Sequence, residues 1–176
     1  MKYYYISVWL FIIWMGIMST LSNNNALNIK LVEKLAIQVY KGNKVLADLT
    51  TAQAILESNL LGQKPSQLAF KYNNLFGIKG QGTKGNVLLP TEEVINGQKV
   101  TVQATFAWNN SVEDSIAQRQ NLFEHGTTGD PTRYFKVLSA TTFEQAAEAV
   151  YQAGYCTDPT YSSQLIKIYN QYLKGN

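Results

Sequence analysis

Apolar residues follow three rhythms along the chain, and each predicts a different kind of element. From Ile6 to Met18 they are almost unbroken, behind a start with a single charge at Lys2. A run that is apolar on every side reads as a secretory signal peptide or, with the flanking tyrosines and Leu21, as an uncleaved membrane anchor. Thr20-Leu21-Ser22 supplies small residues for cleavage near Ser22. Either reading makes residues 1–22 a targeting segment and places residues 23–176 outside the cytoplasm as one domain. No cysteine directly follows the run, so a lipoprotein anchor is excluded.

After Asn23-Asn24-Asn25 the spacing becomes helical. Leu27, Leu31, Val32, Leu35, Ala36 and Val39 predict a helix over 27–40, stopped by Lys41-Gly42-Asn43. A second helix is expected over 48–57, opened by a Thr50/Gln53 capping box, with Leu49, Ala52, Ile55 and Leu56 on its apolar face. Pro65 begins a short third helix that runs to Tyr72. Gly77, Gly80, Gly82 and Gly85 then make a loop. Here the period drops to two. Val100, Val102, Ala104 and Phe106 alternate with polar residues, and Asn96-Gly97 after Val94-Ile95 signals a hairpin turn. Helical spacing returns over 111–123 (Val112, Ile116, Gln120, Phe123), over 142–151 behind Thr142 and Gln145, and over 159–173. The order predicts an α+β fold: a mainly helical domain with one small antiparallel β-hairpin lobe.

Composition narrows the chemistry. The 176 residues make one domain, and 45% hydrophobic content excludes a disordered chain. Lys and Arg number 15 against 12 Asp and Glu, without a basic run, which excludes a nucleic-acid partner. One Cys excludes an internal disulfide, and one His excludes a His cluster. No metal-ligand constellation is present, so neither a metal nor a cofactor is expected. His125, followed by Gly126, reads as a helix C-terminal cap, and Cys156 as buried filler. Carboxylates are left to do any catalysis. The 11 tyrosines exceed what a core needs and suit a groove that contacts a ligand.

Glu57 stands out among the carboxylates. It ends a helix that is otherwise apolar, so partial burial and the negative end of the helix dipole both favour the protonated form. A carboxyl that keeps its proton is what general acid catalysis requires.

Four segments, in order, carry a resemblance. Ala52-Gln53-Ala54-Ile55-Leu56-Glu57-Ser58, then Asn73-Asn74-Leu75-Phe76-Gly77-Ile78-Lys79-Gly80, then Thr91-Glu92-Glu93-Val94 with Asn96-Gly97, and finally Gly154-Tyr155-Cys156-Thr157-Asp158-Pro159-Thr160-Tyr161 together resemble the glucosaminidase domain family. These are the lysozyme-like, peptidoglycan-cleaving domains of autolysins and flagellar hydrolases. The resemblance covers the chain from about Ala36 to Leu173. It departs from the family where no tryptophan follows Glu57-Ser58, where Phe106-Ala107-Trp108-Asn109 lacks the usual arginine and tyrosine, and where Cys156 replaces alanine.

The resemblance implies an endo-β-N-acetylglucosaminidase that cuts the β-1,4 bonds of peptidoglycan glycan strands without a cofactor. It implies Glu57 as the catalytic acid and Glu93, on the hairpin, as the second carboxylate. Glu92 is the fallback, because neighbours on a strand face opposite sides. The second carboxylate would activate water or stabilise oxocarbenium charge, with assistance by the substrate's 2-acetamido group also open. Tyr155 matches a tyrosine whose hydroxyl lies near the acid, with Tyr161 packed beside it. Asn74 and Phe76 match the floor of the cleft, and Asp158 is a helix cap with a chance of contacting sugar. The same fold serves muramidases and lytic transglycosylases. A different class of role is a non-catalytic wall-binding part of a secretion, conjugation or phage apparatus. The expected partner is peptidoglycan, bound by a monomer that touches the membrane only through its N-terminal segment.

Overall fold

The structure, a computed structural model, describes residues 21–175 except Asn23, Lys64, Asn96 and Gly97, and at residues 93–95 the backbone alone. The apolar run expected to be a signal or anchor lies outside the described residues. No described helix is long and apolar enough to cross a membrane.

Helix α1 spans Asn25–Val39, with the Asn24 side chain accepting from the Leu27 amide. Helix α2 spans Lys44–Glu57 and is capped by Asn43. It therefore starts a turn earlier than the capping-box reading placed it, and Thr50 and Gln53 belong to its interior. Residues 46–55 are all buried, so α2 is enclosed on every side rather than along one stripe. Thr50 and Thr51 satisfy their hydroxyls by donating back to the Leu46 and Ala47 carbonyls, at 2.7 and 2.9 Å. Ala47, Ala52 and Ala54 keep the enclosed helix thin enough for its neighbours to close on it.

Helix α3 spans Gln67–Tyr72 behind a Ser66 cap, with Pro65 just outside. Strands β1 (Gly85–Ile95) and β2 (Gln98–Trp108) pair antiparallel from Gly85↔Trp108 to Ile95↔Gln98. The hairpin is as the alternation predicts, and its Asn96-Gly97 turn lies outside the described residues. Neither strand packs along a helix. The base of the hairpin is held by Ala107 N donating to the Ile78 carbonyl and Gly80 N to the Thr105 carbonyl, both at 2.9 Å.

Helix α4 spans Val112–His125. Its buried face is Val112, Ser115, Ile116, Arg119 and Phe123, so Arg119 takes the core position that the spacing assigned to Gln120. His125 lies in the last turn, its ring 3.0 Å from the Asn121 carbonyl, and Gly126 ends the helix. A single turn, α5 (Phe135–Leu138), was not foreseen. Helix α6 (Phe143–Gln152) is capped by Thr142, as the pattern predicts. Helix α7 (Tyr161–Ile168) runs into a π-helical turn over Tyr169–Leu173, where Tyr169 stacks on Phe143 at 4.1 Å. The helices close around α2, with α1, α6 and α7 against it. This is the α+β class, with a helical body and a two-stranded lobe.

Candidate active site

Glu57 is the last residue of α2, and Ser58 fixes what surrounds it. The Ser58 backbone closes the helix on the Ala54 carbonyl. Its buried hydroxyl donates to the Leu75 carbonyl at 2.7 Å, which ties the 73–78 loop to the end of the helix. Ser115 of α4 holds the same loop by accepting from Leu75 N at 3.1 Å.

The carboxyl of Glu57 has a specific partner. The Tyr161 hydroxyl, at the start of α7, donates to Glu57 Oε1 at 2.8 Å. Tyr161 is itself buried and accepts from Gln53 Nε2 at 2.8 Å. Gln53 Oε1 accepts from Arg119 Nε at 2.9 Å and from Arg119 Nη2. Arg119 is fully buried, and its Nη1 also reaches the Tyr40 hydroxyl at 2.6 Å and Thr50 Oγ1 at 2.8 Å. Aromatic faces cover the cation, with Phe123 3.9 Å and Phe76 5.6 Å from its centre. A buried charge without hydrogen bonds would be prohibitive. Here neutral acceptors and π faces replace water.

Glu57 is open to solvent, yet enough protein surrounds its carboxyl for burial to raise its pKa above the usual glutamate value. The Tyr161 hydrogen bond opposes that shift and is the smaller effect. Burial pushes the hydroxyls of Tyr161 and Tyr155 far above the usual tyrosine value, and the Glu57 charge adds to both shifts. Both phenols therefore remain donors wherever Glu57 titrates.

The other expected residues are placed as follows. Tyr155 lies beside Tyr161, with ring centroids 6.1 Å apart, and its hydroxyl donates to the Phe76 carbonyl at 3.4 Å. The hydroxyl bonded to the acid is thus that of Tyr161, not of Tyr155. Arg133 clamps the turn before Tyr155 by donating to the Ala153 and Gly154 carbonyls. Asn74 is buried, and its amide is consumed within the protein: Nδ2 donates to the Ile78 and Ala107 carbonyls at 2.8 and 2.9 Å, and Oδ1 accepts from Ile78 N at 3.0 Å. Both amide hydrogens are used and the side chain is buried, so it serves as a staple. Phe76 is buried under Arg119 and is packing. Asp158 is exposed, but its carboxylate accepts from Thr160 N, Thr160 Oγ1 and Gln164 Nε2 at 2.8, 2.7 and 3.0 Å. Those bonds hold its pKa below the usual value. Asp158 closes the turn ahead of α7, whose cap is Thr160. Cys156 is half-buried against the core.

Glu93 lies two residues from the end of β1, opposite Val100. Glu92 is exposed and 3.7 Å from Lys99. Sequence reasoning missed Arg119, Gln53, Tyr40 and Thr50. The available signal was an arginine at a core position of α4. Among the described residues no group of three His, Cys, Asp or Glu could hold a metal ion.

Comparison with known proteins bears on the family and the fold. Residues 33–174 match the glucosaminidase family model, described as mannosyl-glycoprotein endo-β-N-acetylglucosaminidase. The chain is 37% identical to the exo-glucosaminidase LytG of Bacillus subtilis over 134 residues, which is 76% of this chain and 46% of LytG. It is 32% identical to a probable N-acetylmuramidase of Lactococcus lactis over 153 residues, 86% of this chain and 34% of that protein. The chain thus spans less than half the length of these relatives. The crystallised catalytic domain of the autolysin Auto from Listeria monocytogenes shares the fold, with a TM-score of 0.75 and 24% identity over 97% of both chains.

Proposed function

The chain belongs to the glucosaminidase family, and on that premise we propose that it is a peptidoglycan hydrolase whose catalytic acid is Glu57. The observation that supports this most directly is the Glu57 carboxyl itself, raised in pKa by burial and held by the Tyr161 hydroxyl at the solvent-facing end of a buried helix. A protonated Glu57 donates to the glycosidic oxygen as the C1–O bond breaks, and the leaving sugar departs neutral. Positive charge develops at the anomeric carbon. Glu93 is the second carboxylate, supported by its family motif and its place on the hairpin. It directs water or balances the oxocarbenium charge. The bond cut is the β-1,4 linkage that leaves N-acetylglucosamine at the new reducing end. The enzyme acts at the wall, outside the cytoplasm.

A second reading is favoured by the Lactococcus relative, which is named a probable N-acetylmuramidase. One experiment decides between them. Purified peptidoglycan is digested by the wild type, Glu57→Gln and Glu93→Gln, the products are reduced with borohydride, and the new ends are identified by mass spectrometry. Reduced glucosamine ends, lost in both variants, are expected. Reduced muramic acid ends would mean the muramidase bond. Anhydro-muramic products that survive Glu93→Gln would mean a transglycosylase. Undiminished cleavage by Glu57→Gln would end the assignment of the acid.

A further inference from the structure

A buried cation sets the direction of the hydrogen-bond chain that ends on Glu57. A guanidinium has donors only. Arg119 Nε and Nη2 converge on one atom of the Gln53 side chain, so that atom is the amide oxygen. The reversed amide would set N–H groups against N–H groups. Gln53 Nε2 is thereby aimed at the Tyr161 hydroxyl, which must accept at 2.8 Å. The phenol has one proton to give, and it lies along the 2.8 Å bond to Glu57 Oε1. All the described hydrogen bonds of Arg119 go to neutral groups, so its charge is not cancelled locally.

We infer that Arg119 and Gln53 are positioning residues for the acid: the cation locks the Gln53 amide, and the amide obliges Tyr161 to donate to Glu57. The inference rests on the reading of Glu57 as the acid. A donated hydrogen bond favours the ionised carboxylate, so the chain restrains the proton affinity that burial would otherwise give Glu57. It thereby sets the pH at which the acid loses its proton and activity falls. Tyr161 faces the carboxyl from α7 and Tyr155 from the turn before it, with Tyr134, Tyr40 and Arg119 behind them. Burial holds both facing tyrosines in their protonated form.

The test is the pH profile of wall hydrolysis by Gln53→Glu. A carboxylate at position 53 pairs directly with Arg119, so the core keeps a partner for its cation. It offers no N–H, however. The Tyr161 proton turns to residue 53 and Glu57 loses its donor. The alkaline limb should move up by roughly one pH unit, the tenfold change expected on losing a hydrogen bond to a charged group. Stability to urea should be retained. Tyr161→Phe alters no charge, so its upward shift separates the lost donor from the added charge. Arg119→Lys keeps the charge without the fork and should shift the limb the same way, even if Gln53→Glu does not fold. Limbs that superimpose on the wild type in the folded variants would overturn the inference. Glu57→Gln in the same assay should lose about 10²–10⁴-fold of its activity; undiminished hydrolysis there would overturn the acid itself and leave no role for the chain behind it.

Discussion

Replacing Asn74 by alanine separates two accounts of the cleft-floor motif. If Asn74 bound sugar, truncation would weaken substrate binding and leave the fold alone. The geometry says otherwise, because its amide makes two donated bonds and one accepted bond inside the protein, at 2.8, 2.9 and 3.0 Å, with the side chain buried. Each such bond contributes about 1 kcal/mol net, so their joint loss costs about 3 kcal/mol. The half-buried Ile78 amide, left without its acceptor, adds to that cost. For a domain of this size that is a fall in Tm of about 6–12 °C. Urea unfolding followed by circular dichroism measures it, with an unchanged m-value showing that stability rather than compactness has moved. A loss below about 1 kcal/mol together with a raised KM would refute the reasoning and return Asn74 to the substrate.

Other expectations follow from the same geometry. Glu57→Gln should lower wall hydrolysis by about 10²–10⁴-fold in a reducing-end assay. The raised native pKa of Glu57 means that the folded state holds this proton more tightly than the unfolded state. Wild-type stability should therefore decline as pH rises from the ordinary glutamate value through the native one, and urea titrations of Glu57→Gln across that window should lack the decline. Glu93→Gln should abolish hydrolysis while Glu92→Gln leaves it intact, since Glu92 makes only an exposed pair with Lys99; equal losses would reassign the second carboxylate. Gly126 has φ 66° and ψ −146°, and a Cβ there would meet the Asp130 carbonyl. Gly126→Ala should cost about 1–3 kcal/mol in thermal unfolding, and an unchanged Tm would refute that strain argument.

Much of this molecule was legible because local signals agreed with tertiary demands. Asn-Gly after Val94-Ile95 and ahead of the alternating run Val100–Phe106 predicted the hairpin, and Thr142 three residues before Gln145 predicted the start of α6. Errors arose where burial overrode local pattern. Thr50 and Gln53 mimic a capping box, yet α2 is wrapped on all sides and needs polar residues for an internal network. Gln120 and Arg119 are adjacent, and hydrophobicity alone favours neither. Arginine won the core position because Gln53, Tyr40 and Thr50, scattered over 14 positions of sequence and brought together by α1 and α2, supply its acceptors. No local window contains that information. The family motif likewise put the Tyr155 hydroxyl near the acid and left Tyr161 as packing, whereas Tyr161 makes the bond to Glu57, because which phenol meets the carboxyl depends on how α7 seats against α2.

The hairpin has a mechanical consequence. It is fastened at its base and packs along no helix, so it is a lever with a short hinge. Glu93 lies eight residues beyond Gly85 on β1, about 26 Å out along the arm. Pivoting such an arm by about ten degrees carries its outer end through about 4.5 Å. That travel is comparable to the whole difference between the carboxylate separations of retaining and inverting glycosidases, about 5 Å against about 9 Å. On the proposed pairing of Glu57, seated in the helical body, with Glu93 on such an arm, stereochemistry would be a property of the loaded complex, chosen by the glycan that fills the gap.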